Sequence, residues 1–154
     1  MNRVTLDLAL LVLRLAGFGL ALAHGWAKLI ALARGDYRFA EALAGIGLPA
    51  PQVLAWAAAL SESFGGVLVG LGLFARVAAG FCAITMAVAA FARHHAHDHL
   101  FVKLGLLQVP PERLSLWGNP ELALVYLGVF LAVLLAGPGG LAFDAVRRGG
   151  GRRR

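Results

Sequence analysis

Apolar residues run through this chain in four long blocks, with polar positions gathered between the blocks rather than alternating within them. The blocks cover about residues 5–33, 52–73, 75–93 and 120–136. A helix rises about 1.5 Å per residue, so about 17 to 25 residues cross a bilayer core, and every block falls within or above that range. A backbone in lipid must satisfy its own N–H and C=O groups, which for isolated blocks of this length means α-helix. The expected fold class is all-α, a polytopic membrane four-helix bundle. Between the first and second spans, Phe39, Leu43 and Ile46 recur at helical spacing among polar residues and are stopped by Gly47 and Pro49. That pattern predicts a short interfacial helix. The fourth span opens with Asn119-Pro120-Glu121, a capping residue, a first-turn proline and an acid at the positive dipole end, and closes at Gly137-Pro138-Gly139-Gly140.

Composition agrees with a lipid environment. Of the 154 residues 60% are apolar and 14% charged, with a mean hydropathy of +0.77, too little polar surface for a soluble domain of this size. The formal charge is +6, and Arg147, Arg148, Arg152, Arg153 and Arg154 supply five of those charges. A tail at residues 147–154 suits an anionic cytoplasmic leaflet, so membrane lipids are expected partners. A nucleic-acid partner is not expected, because basic residues are not spread over a folded face. Cys82 is the single cysteine, which excludes an internal disulfide or a CxxC redox pair. No repeat points to an inverted-topology transporter.

With four spans, the N-terminus, the 73–76 turn and the C-terminus share one side, and their arginines favour both termini on the cytoplasmic side. Trp26, Trp56 and Trp117 fall at predicted outer helix ends, where an aromatic belt lies. Ala21-Leu22-Ala23 imitates a signal-peptide cleavage site, but Arg14 interrupts the would-be signal core and the apolar pattern continues past it.

Ionisable groups inside the spans are the informative ones, since each costs roughly 2.5 to 3.5 kcal/mol unless paired or turned inward. His24 and Lys28 lie four apart and share a helix face, and Arg14 falls on nearly the same stripe at a 3.6-residue period. Glu62 sits midway along the second span between Ser61 and Ser63. His24 is about 14 Å from the outer end of its span and Glu62 about 16 Å from the start of its own, so in antiparallel packing the two meet in depth. Gly66 and Gly70 continue the Glu62 stripe and allow close helix approach. Glu62, His24 and Lys28 are therefore the candidate catalytic groups, either a proton relay or quinone-headgroup site or a static pair that sets register.

Arg14, Arg76 and Glu121 are the further candidates for cofactor contact, although Arg76 and Asp144 read first as a structural pair at the inner surface. His94-His95-Ala96-His97-Asp98-His99 places His95 and His99 four apart, two metal ligands without a fixed third, so a solvated helix end is expected, with one histidine reaching back toward Glu62 or Glu121 as the alternative, and no metal site is assigned. No haem, flavin, iron-sulfur, P-loop or hydrolase motif is present.

Taken in order, Arg14, His24-Gly25-x-x-Lys28-Leu29, Gly45-x-Gly47-Leu48-Pro49, Glu62-x-x-Gly65-Gly66, Gly70-x-Gly72-Leu73-x-x-Arg76, Glu121 and Gly137-Pro138-Gly139 running to Asp144 resemble the DoxX family of bacterial membrane proteins, over about residues 8–146. The resemblance implies a four-helix membrane fold. It also implies a link to terminal quinol oxidase and thiosulfate:quinone oxidoreductase subunits and to membrane redox and oxidative-stress complexes. Ala142 stands where the family commonly has a serine or threonine, and the histidine run is denser than usual. The expected function is a quinone-linked redox subunit with a bound quinone or quinol between the first two helices, acting with a partner protein or as a homo-oligomer. The alternatives are a non-catalytic scaffold for a partner oxidoreductase, and small-solute or metal handling by the outer histidines.

Overall fold

The computed structural model describes residues 2–150, and in it every apolar block is helical; no strand occurs among the described residues. Helix α1 runs Arg3–Ala33, α2 Arg38–Gly45, α3 Pro51–Leu71 and α4 Ala75–Arg93. Beyond α4 come α5 at Ala96–Lys103, α6 at Pro111–Trp117, α7 at Glu121–Ala136 and α8 at Phe143–Gly150. The helices α1, α3, α4 and the stretch Pro111–Ala136 that contains α6 and α7 are long and apolar enough to cross a membrane. Gly118, at φ 70°, breaks that last stretch, and Asn119 Oδ1 accepts the Glu121 N–H at 2.8 Å to start α7. The predicted basic tail is helical to Gly150; residues 151–154 lie outside the described residues.

Large apolar side chains point outward along the spans: Val12, Leu22, Val53, Phe81, Ile84 and Leu135 are all exposed. In water such a surface would aggregate, whereas in lipid it is the solvated face. The chain is a multi-pass membrane protein. Its interior is packed with Leu20, Val69, Cys82, Met86, Phe130 and Val133 from α1, α3, α4 and α7. A second cluster, Leu32, Ala40, Leu43, Ala55 and Ala59, seats α2 against α1 and α3. Lipid tails give no hydrophobic drive between helices, so close approach of small residues must supply the contact. At Gly25 an added Cβ would sit 2.6 Å from the Glu62 carbonyl carbon, and at Gly66 2.6 Å from the Gly17 oxygen.

Three five- or six-residue stretches are wound as π-helix: Ala21–Gly25 in α1, Ser61–Gly65 in α3 and Val88–Arg93 in α4. The first two pack on each other. An extra residue in a turn rotates everything beyond it by about 100°. Arg14 and Lys28 lie on opposite sides of the first stretch, so the stripe expected to hold both is split. Arg14 instead points to the loop after α7, where its Nη2 donates to Leu141 O at 2.8 Å.

That end of the bundle is held by backbone-directed carboxylates. Asp144 accepts the N–H groups of Phe74 and Ala75, each at 3.0 Å, and donates its own N–H to Gly72 O at 2.9 Å. It thereby caps α4 and steadies a turn in which Gly72 and Phe74 both have positive φ. Asp7 likewise accepts the Gly140 N–H at 2.6 Å. The expected Arg76–Asp144 pair is not formed: both Asp144 oxygens are taken by the start of α4, and exposed Arg76 lies beside Gly137. Ala142, where a hydroxyl was missing, turns its methyl toward Gly72.

Candidate functional site

Glu62 is 1% exposed, and its two carboxylate oxygens each accept a hydrogen bond from Lys28 Nζ at 2.7 Å. The Lys28 ammonium also lies 4.8 Å from the centre of the Phe39 ring on α2, a cation–π contact that closes the pair from above. Lys28 retains 31% side-chain exposure, so the pair has a dry end and an open end. The widened turn Ser61–Gly65 carries Glu62, and the opposing turn Ala21–Gly25 carries His24. Such π-turns often mark functional sites, because they turn a side chain away from the regular helical track.

Two cavities meet at this pair. One, of about 290 Å³, lies between α2, α3 and α4; Lys28, Ser61, Glu62, Thr85, Arg93 and His94 are polar points on a wall otherwise made of residues such as Leu43, Leu54, Phe81 and Ile84. The other, of about 280 Å³, lies toward α7 and is lined by His24, Lys28, Glu62, His94, Asn119 and Tyr126 among apolar neighbours. Lys28, Glu62, Ala89 and His94 border both. The expected binding space between the first two helices is corrected: at Gly17, Gly25 and Gly66 their backbones touch, and the free volume lies on the α4 side of Glu62.

The candidate catalytic trio is brought together in part. Lys28 and Glu62 are bonded; His24 shares their cavity, half-buried, and makes no hydrogen bond among the described residues. The candidate cofactor contacts are not brought to this place. Arg14 is buried at the α3–α4 turn, Arg76 is exposed at the start of α4, and Glu121 is exposed on a surface depression with His99 and Lys103. Arg14 binds a loop carbonyl, with its Nε buried and without a partner.

His94 is the residue that spacing failed to single out. Its Nδ1 lies 2.7 Å from the Trp117 carbonyl oxygen. A carbonyl only accepts, so Nδ1 carries the hydrogen, and in the neutral ring the lone pair is on Nε2. The histidine run is not one helix end: α4 stops at Arg93, His95 is left-handed at φ 49°, and α5 begins at Ala96. His95 and His99 accordingly do not act as an i, i+4 pair; both rings pack on Trp117, the first stacked at 4.6 Å and the second edge-on at 5.8 Å.

No curated protein and no solved structure gives a significant match. The DoxX family model matches residues 9–95, which take in Arg14, His24, Lys28, Glu62 and Arg76 and end before Glu121 and Asp144. With more than half of its length inside that match, the chain belongs to the DoxX family.

Proposed function

We propose that this protein is the membrane subunit of a quinone-linked redox system and holds a quinone or quinol headgroup in the cavity between α2, α3 and α4. The single observation that carries this reading is the Lys28–Glu62 pair in the wall of an apolar cavity inside a membrane bundle. A volume of about 290 Å³ is at the small end for ligand sites, enough for a headgroup whose isoprenoid tail leaves into lipid past Phe81 and Ile84. The donor chemistry also fits: an ammonium and a carboxylate on one wall, with serine and threonine hydroxyls nearby. A bound quinol supplies two electrons and two protons. Lys28 would orient the headgroup oxygen, Glu62 would take the two protons one after the other, and His24 and His94 would be the bases that carry each of them outward through the second cavity. The two electrons would pass to a haem, flavin or iron–sulfur centre of a partner oxidoreductase. Localisation in a bacterial inner membrane belongs to the same reading and is supported by the family; cytoplasmic termini are supported by the loop arginines.

A second reading is a non-catalytic scaffold for a partner oxidoreductase. It is favoured by the use of both Glu62 oxygens by one lysine, as a register-setting pair would do. Titration of the detergent-solubilised protein with a short-chain quinone, read by quenching of tryptophan emission, separates the two. The quinone reading expects saturable binding that falls at least tenfold in Glu62→Gln and Lys28→Met; equal affinity in all three proteins leaves the scaffold.

A further inference from the structure

Away from Glu62, the first turn of α5 and the residue before it carry a donor set that no part of the quinone reading uses. His95, His97 and Asp98 each offer one ligand atom, and the three atoms lie within 4.8 Å of one another. His95 Nδ1 is 3.1 Å from Asp98 Oδ2, and His97 Nε2 is 3.5 Å from Asp98 Oδ1. Around a tetrahedral ion with bonds of about 2.0 to 2.2 Å, neighbouring donors are separated by about 3.3 to 3.6 Å. These two contacts run to different oxygens of Asp98, so the three ligand atoms, within 4.8 Å of one another, reach that separation by small side-chain rotations. His97, with its side chain half exposed, has room on the solvent side for that adjustment.

The fold explains why these three residues converge when linear spacing pointed to His95 and His99. His95 occupies the position before the first turn of α5 in a left-handed backbone, a conformation that costs a non-glycine residue about 1 kcal/mol or more, and this sends its ring back over Asp98 three residues on. The Trp117 indole, stacked on the ring at 4.6 Å and 20°, holds it there. Imidazole nitrogens with one carboxylate suit borderline divalent ions, and three protein donors leave a coordination position open to water. The Asp98 charge also offsets the unfavourable helix N-terminus that a cation would face here.

We propose that His95, His97 and Asp98 bind a divalent first-row transition metal, Zn²⁺ or Cu²⁺, at the surface beside Trp117. The site is independent of the Glu62 cavities. It is tested on the untagged full chain in detergent, titrated with Zn²⁺ alone in competition with a chromophoric chelator. One ion per chain is expected, with affinity reduced tenfold or more in both His97→Gln and Asp98→Asn and changed less than twofold in His99→Gln. Helical circular dichroism and a single elution peak confirm that each variant is folded. Absence of stoichiometric binding, or a loss in His99→Gln equal to that in His97→Gln, overturns the assignment in favour of diffuse chelation by the histidine run.

Discussion

Glu62 is held by a cation that remains partly in contact with solvent, and that asymmetry sets the size of its effects. Replacing it by glutamine removes a charge-assisted pair worth roughly 1.5 to 3 kcal/mol when dry, and the exposure of Lys28 brings the expected loss to the lower part of that range. Thermal unfolding in a fixed detergent checks this; an unchanged midpoint would show that the pair contributes nothing to the fold. Gly25→Val is a sharper test of packing. Its Cβ would meet the backbone of Glu62 and Ser63, so a loss of about 1 to 3 kcal/mol is expected together with loss of the Lys28–Glu62 contact. At this scale the sequence narrowed the neighbours of Glu62 to His24 and Lys28, but the depth match pointed to His24, whereas the carboxylate is bonded by Lys28, one turn nearer the end of the span. That choice was not legible, nor was the place of His94, because both depend on rotation about the helix axis.

That rotation is set by the π-wound stretches, and they explain most of what spacing misjudged. An added backbone residue leaves no mark in composition, so a 3.6-residue period carried from Arg14 to Lys28 places on one face two side chains that end on different ones. The capping chemistry of Asn119 was legible because it is local; the cap that Asp144 provides to α4 joins residues about 70 apart and was not. Asp144→Ala is expected to destabilise the bundle by about 1 kcal/mol, the usual cost of a lost helix cap, measured as a lowered unfolding midpoint. Arg76→Ala, by contrast, should leave stability unchanged, since Arg76 makes no ion pair among the described residues. At the start of α2, hydrogen bonds from Arg38 hold the Asp36 carboxyl down at about 2, below its ordinary 3.8. Its pull on Arg38 is therefore present above pH 3.8 and lost as pH falls through about 2, a titration that carboxyl carbon shifts in NMR would follow.

For the molecule as a whole, four apolar blocks separated by polar turns were enough to give an all-helical membrane bundle, since lipid allows a chain of this pattern few other structures. The position of the free volume was not legible. Small residues draw α1 and α3 into backbone contact, so the space expected between them is displaced to the far side of Glu62, against α4 and α2 on one flank and α7 on the other. On the quinone reading, a ligand there would enter from the bilayer between α3 and α4, past Phe81 and Ile84, and meet the buried carboxylate from that side. Mass spectrometry of the gently solubilised protein, with bound lipids and quinones read together, tests this most directly. The wild type should carry one quinone or quinol per chain and Glu62→Gln should carry none; equal quinone in both, or none in either with lipids retained, would contradict the account.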